Sequence, residues 1–231
     1  METPTSPVAA PGQAPSVTIL GIGGSTRPGS SSEKALRLAV AAAAAAGAKT
    51  ELITSRELIL PIYDPLDSDR CERAVALIEA IKRADGVILA SPGYHGSISG
   101  MVKNALDYTE DLREYERAYL QDLPVGCIAV AQGWQAAVCT LQALRATVHA
   151  LRGWPSPLGA AVNQAEAAFA DDGSTGDSAV AGQLETLGRQ VTEFAQRWKA
   201  AQWAGGPAQP AVPALAVPAP GGEPGHPGGR G

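Results

Sequence analysis

The feature that most restricts what this chain can fold into is a short apolar run, repeated, with no polar alternation inside it. Val17-Thr-Ile-Leu-Gly-Ile22, Gly86-Val-Ile-Leu-Ala90 and the stretch 124–131, with Val125, Ile128 and Val130, are each bounded by glycine, proline or polar residues. A strand apolar on both faces is a strand buried on both faces, the situation inside a parallel sheet covered by helices. Between these runs lie stretches of helical spacing. Residues 33–48 are dense in Ala and Leu, and 69–84 place apolar residues at 74, 75, 77, 78 and 81. Residues 100–113 follow, then 136–151 with Leu141, Leu144, Val148 and Leu151, and 178–201 with Leu184, Leu187, Val191, Phe194 and Trp198. That periodicity predicts amphipathic helices. Residues 50–54 and 157–162 complete a set of five strands, while Pro61 and Pro65 make the segment around them irregular.

Strands and helices alternate five times, which predicts an α/β three-layer fold, a five-stranded parallel sheet with helices on both faces. Five such units suit a flavodoxin-like sheet of strand order 2-1-3-4-5 with right-handed crossovers. Ligands of such sheets bind beyond the carboxyl ends of the strands where the winding reverses, here between the first and third strands. The two loops there, 25–32 and 92–99, are the two most unusual in the sequence.

The ends of the chain read differently. Residues 1–15 hold four prolines, and 204–231 are almost wholly Gly, Pro and Ala. Neither can bury enough apolar surface to offset its ordering entropy, so both are expected to be disordered tails around one domain, 16–203. Other function classes recede. No apolar run spans a bilayer, and no secretory signal precedes the first strand. Cys71, Cys127 and Cys139 are odd in number and widely spaced, and His95, His149 and His226 form no cluster, so no metal site is expected and a cytoplasmic location fits. A formal net charge of −5 without a basic stripe argues against nucleic acid as a partner.

In the first loop, Gly24-Ser25-Thr26-Arg27-Pro-Gly-Ser30-Ser31-Ser32, a strand gives way to a helix. Free N–H groups and a partial positive charge at the helix start attract an anion, serine and threonine hydroxyls can donate to phosphate, and Arg27 adds a charge-assisted donor. No acidic residue occurs from Val17 to Ser32. The plainer role, capping by one of Ser30, Ser31 or Ser32 with a nearby Glu closing the box, accounts for one serine but not for Arg27 or the other hydroxyls. The loop is neither a triphosphate P-loop nor a dinucleotide fingerprint.

The second loop reads Ser91-Pro92-Gly93-Tyr94-His95-Gly96-Ser97-Ile98-Ser-Gly100, followed by Lys103-Asn104-Ala105-Leu106-Asp107. Together with Gly24-Ser25-x-Arg27-x-x-Ser30 it resembles the NADPH-dependent FMN reductase family over about residues 17–162. The resemblance implies an FMN cofactor whose phosphate is held by Ser25, Thr26, Arg27, Ser30 and Ser32. It also implies that Pro92, Gly93, Tyr94, His95, Gly96 and Ser97 lie along the isoalloxazine ring. Gly93 and Gly96 then serve close approach of a flat ring, and Tyr94 offers an aromatic face, or else is a core tyrosine. Lys103 and Asp107 read most simply as a helix-surface ion pair. In the third loop the family's Gly-Gly pair is replaced by Gln132-Gly133-Trp134. Gly133 is expected to give its N–H, and Gln132 its side chain, to the flavin's pyrimidine end; Trp134 either walls the ring or packs at a subunit interface. This change and Gly93 are expected to reshape the pocket above the ring.

The implied activity is hydride transfer between NAD(P)H and FMN and on to a small acceptor, chemistry supplied by the flavin, so no catalytic side chain is assigned. A second reading keeps FMN but takes a small cyclic metabolite as donor. It is a dehydrogenase of a chorismate-like ring, such as 2-amino-4-deoxychorismate, in an antibiotic or aromatic biosynthetic pathway, with Arg145 and Arg152 either as partners for substrate carboxylates or, more simply, as surface helix charge. A flavodoxin-type electron carrier is a third. The family also implies a homodimer or homotetramer; Tyr108, Tyr115 and Tyr119, on a long helix around 100–120, add aromatic surface that suits an interface and intramolecular packing equally.

Overall fold

A computed structural model describes residues 16–203; both expected tails lie outside the described residues. The elements in chain order are β1 (Thr18–Gly23), α1 (Ser31–Ala45), β2 (Lys49–Thr54), α2 (Glu72–Arg83), β3 (Gly86–Tyr94), β4 (Ser97–Ile98) and α3 (Gly100–Asp107). They continue with β5 (Pro124–Ala131), α4 (Trp134–Ala150), β6 (Trp154–Pro155), β7 (Ala160–Asn163) and α5 (Ser178–Trp203). Strands β2, β1, β3 and β5 run parallel in that order, with Ile22 opposite Ile53 and Leu89, and Ala90 opposite Ile128.

The fifth place in the sheet is shared. β6 pairs with the start of β5 (Val125 opposite Pro155), and β7 with its end (Ile128 opposite Ala160 through Ala131 opposite Asn163), both parallel. The expected strand 157–162 therefore starts earlier and is broken in its middle. Pro157 has no N–H for the ladder, and there the chain turns on itself, Ser156 Oγ donating to the Leu158 carbonyl at 2.7 Å. The core order 2-1-3-4-5 stands, in a sheet of seven strands rather than five.

Successive residues of the central strands enter opposite cores, as their uniform apolarity requires. Ile19, Ile88 and Ile128 pack with Leu36 and Val40 of α1 and with Leu184, Leu187 and Val191 of α5. Leu20, Leu89 and Cys127 pack on the other face with Leu77 and Ile81 of α2, Leu106 of α3 and Leu144 and Val148 of α4. Each wholly buried Leu or Ile contributes about 1.5–3 kcal/mol, so two such layers fix the sheet and hold its carboxyl edge still.

Two departures matter for that edge. β3 runs past its last sheet partner, Pro92 opposite Val130, and folds back on β4 as a hairpin, with Tyr94 opposite Ser97. His95 (φ 50°) and Gly96 (φ 83°) make the two-residue turn, the left-handed pair that twisted hairpins favour. The expected loop is thus an ordered projection. The helix after it ends at Asp107 and tightens into a 3₁₀ segment, Tyr108–Leu112. Tyr108 is buried edge-to-face on Tyr63, with ring centres 5.3 Å apart, so it supplies no interface surface.

Candidate functional site

The carboxyl ends of β1, β3 and β5 meet at an open cleft lined by the first loop, the hairpin and the tip of β5. Its position follows from the first crossover. At Gly23 a Cβ would lie 2.0 Å from the Ala90 carbonyl oxygen, and Gly24 donates its N–H to that oxygen at 3.1 Å. Only glycine lets β1 press so close to β3 before the chain leaves the sheet.

The first loop then forms one wall. Ser25 Oγ accepts the Arg27 N–H at 3.2 Å, a local turn that sets the loop's first bend. Ser30 is the N-cap of α1, accepting the Glu33 N–H at 3.3 Å, and its hydroxyl lies 3.2 Å from that of Ser32. The backbone N–H groups of Ser30, Ser31 and Ser32 have no acceptor among the described residues. Arg27 is exposed and forms no ion pair among them. Ser25, Arg27, Ser30 and Ser32 all line the cleft, joined by Ser31; Thr26 is exposed outside it.

The hairpin supplies the floor. Pro92, Gly93 and Tyr94 line the cleft, and Tyr94 is 54% exposed, which removes the core-tyrosine alternative. His95, Gly96 and Ser97 are exposed at the hairpin tip, beyond the lining. The hairpin is held from behind, because Ser91 Oγ accepts the Ser99 N–H at 2.9 Å and Ser99 caps α3. Lys103 and Asp107 form an exposed i,i+4 ion pair. Gly93 corrects the expectation placed on it. A Cβ there would meet Thr140 Oγ1 at 2.5 Å and the Ala131 Cβ at 2.9 Å. The missing side chain makes room for the start of α4.

Gly133 is a second correction. Its N–H is already donated to Asn163 Oδ1 at 2.7 Å, so it is not available to a ligand carbonyl. Asn163 is buried at the end of β7 and passes its own Nδ2 to Glu166 at 2.7 Å. Glu166 in turn accepts the Trp134 indole N–H at 2.9 Å. Trp134 is thereby pinned outside the cleft lining, half exposed. From this side the cleft is lined by Gln132 and by Gln164. Gln164 and Asn163 escape a reading that confines itself to the first, third and fourth strands. Their signal was positional, two amides at the tip of the fifth.

One acidic group stands near the serines. Glu33 is buried beneath the loop, where burial alone would raise its carboxyl pKa. The Ser55 hydroxyl at 2.6 Å, the Arg37 guanidinium and the Gly29 N–H outweigh that and hold it below the ordinary range. Burial pushes the Cys127 thiol up to about 12, which keeps it protonated. Among the described residues there is no cluster of His, Cys, Asp or Glu able to hold a metal, and no helix is long and apolar enough to cross a membrane.

Fold and site together define an α/β protein whose sheet tips gather hydroxyls, unspent amides and one arginine around an open cleft. The model of the NADPH-dependent FMN reductase family matches residues 17–167, most of the described chain, and the protein belongs to that family. Among known proteins it is 34% identical over 90 residues to an NADPH azoreductase of Bacillus sp. (strain OY1-2), a stretch covering 38% of this chain and 47% of that one. It is 37% identical over 98 residues to an FMN-dependent NADPH-azoreductase of Staphylococcus aureus (strain USA300), covering 42% and 48%. The matched stretch thus spans about half the length of these relatives. Among solved structures it is similar to FerB, a flavoenzyme NAD(P)H:(acceptor) oxidoreductase from Paracoccus denitrificans, with a TM-score of 0.66 and 25% identity over 78% of this chain and 98% of that one. The residues present fit FMN: uncharged donors and Arg27, groups that suit a phosphate, line the cleft, and no carboxylate is among its lining residues.

Proposed function

We propose that the protein is an FMN-dependent oxidoreductase that takes reducing equivalents from NAD(P)H and passes them to a small acceptor. The observation that carries this is the cluster of Ser30, Ser31 and Ser32 amides, without an acceptor among the described residues, in residues that line the same cleft as Ser25 and Arg27. That set would hold the FMN phosphate. When bound, the flavin supplies the hydride chemistry. The chain's own contribution is position and polarity. The Pro92–Tyr94 limb gives a flat support, Gln132 and Gln164 offer amide donors at the opposite rim, and the buried layers behind keep both walls fixed. No side-chain acid or base is required.

The azoreductase names of the relatives make aromatic azo compounds a reasonable acceptor class to test. The reading with a chorismate-like donor has less support, because Arg145 and Arg152 lie outside the cleft lining, Arg145 donating to the Ser156 carbonyl at 2.8 Å and Arg152 lying over the Tyr119 ring. A homodimer or homotetramer remains part of the proposal, supported by the segment after β2, which leaves Ile62 (88%) and Leu66 (94%) almost fully exposed; light scattering on purified protein tests it.

The direct experiment is the visible spectrum of protein incubated with FMN and desalted, repeated after anaerobic NADPH or NADH. The proposal predicts a retained oxidised-flavin band that bleaches with one or both nucleotides. Protein that stays colourless after FMN incubation overturns it, and a retained band that neither nucleotide bleaches removes NAD(P)H as donor.

A further inference from the structure

We infer that Glu33 is a positioning residue for the phosphate site, and that Arg37 cancels its charge so that it can do this without repelling the anion; the inference rests on the FMN reading above. A carboxylate this buried, 5% exposed, costs stability unless donors surround it. Its donors come from three separate elements. The Gly29 N–H reaches it from the loop at 2.9 Å, and the Ser55 hydroxyl from the turn after β2 at 2.6 Å. Arg37, one turn further along α1, gives Nε at 2.9 Å and Nη2 at 2.7 Å, both to Oε1. The Thr54 hydroxyl stands at 3.5 Å. Glu33 therefore ties the far limb of the loop to the neighbouring strand end.

The detail that matters is which loop amide it takes. In a full capping box the acidic residue at the third helical position accepts the N–H of the N-cap, here Ser30. Glu33 occupies that position but reaches one residue further back, to Gly29. The Ser30 amide is thereby left, with those of Ser31 and Ser32, for an external anion. A carboxylate beside a phosphate would weaken binding on its own. Two guanidinium donors on one of its oxygens neutralise it, while the outer side of Arg37 stays in solvent, 53% exposed.

The test compares dissociation constants for FMN and for riboflavin, which has the same ring and no phosphate, by flavin fluorescence quenching. Thermal melts of each variant check folding. Glu33→Gln keeps the shape but cannot accept from every donor, and it is expected to weaken FMN about tenfold with riboflavin unchanged. Ser55→Ala, the milder probe of the same carboxylate, shifts FMN in the same direction by less. Arg37→Gln, which leaves the charge uncancelled, weakens FMN by about tenfold or more, and adding Glu33→Gln to it restores part of that loss. Equal wild-type affinity for FMN and riboflavin overturns the phosphate reading beneath the inference. A wild-type preference for FMN that Glu33→Gln leaves intact, or parallel loss of both ligands, overturns the role of Glu33. Losses that simply add in the double variant overturn the role of Arg37.

Discussion

Replacing Gly93 by Ala separates two reasons for a glycine beside the cleft. If the position is bare so that a ring can approach, an added methyl weakens flavin binding and leaves folding alone. The geometry says the reverse. The new Cβ would sit 2.5 Å from Thr140 Oγ1, 2.9 Å from the Ala131 Cβ and 3.4 Å from the Ala136 carbonyl oxygen. Separations under 3.0 Å are essentially never seen for a real Cβ, so α4 or the Thr140 side chain has to yield. Thr140 is wholly buried, and its hydroxyl donates to the Ser97 carbonyl at 3.3 Å, a bond lost if it rotates away. Overpacking of this kind costs about 1–3 kcal/mol. In a domain of this size that lowers Tm by roughly 2–12 °C. The assay is calorimetry on flavin-free protein, with FMN titrations alongside. Thr140→Ala added to the variant removes the closest contact and should return part of the loss. A flavin-free Tm equal to wild type, together with a tenfold weaker FMN constant, would refute the packing argument.

Other consequences are equally open to measurement. Gly188→Ala puts a Cβ 2.0 Å from the Ala39 carbonyl oxygen, backbone against backbone where α5 crosses α1. A loss of about 3 kcal/mol or more is expected, and an unchanged urea midpoint contradicts it. Because the Glu33 carboxyl is held below its ordinary value of 4.5, its stabilisation is present above that value and fades as pH falls through the depressed one. The Tm gap between wild type and Glu33→Gln should therefore be steady near neutrality and close in acid; a gap that widens in acid is the wrong sign. Asn163→Ala removes the acceptor of the Gly133 N–H and the link to Glu166. About 1–3 kcal/mol should be lost, with a change in tryptophan emission as Trp134 is released, and unchanged emission counts against the clasp.

Much of this molecule was legible in its residues, because the signals were local. The run 124–131 coincides with β5, and the serines around position 30 announce a helix start whichever one caps it. The parallel order followed from strands apolar on both faces. What stayed hidden depends on partners distant in sequence. The direction of the missing side chain at Gly93 is set by Thr140, and the Gly133 amide is claimed by Asn163. Glu33 is satisfied from Ser55. The hairpin is not legible locally, because Pro92 and Gly93 read as loop and its turn sits on His95-Gly96 rather than on the Asn-Gly or Asp-Gly pair that marks such turns. The break in the fifth strand was written in Pro157, which is visible locally but decisive only once β5 is known to be its neighbour.

The central claim is that the loop from Gly24 to Ser32 grips a monophosphate. It is tested most directly by the ratio of FMN to riboflavin affinity in wild type and in a Ser25→Ala/Arg27→Gln variant. Loss of a charge-assisted contact of about 1.5–3 kcal/mol corresponds to roughly 10- to 150-fold. The account predicts that wild type favours FMN by at least about that factor, and that the double variant loses most of the preference while still melting cooperatively. A double variant that binds FMN as tightly as wild type contradicts it.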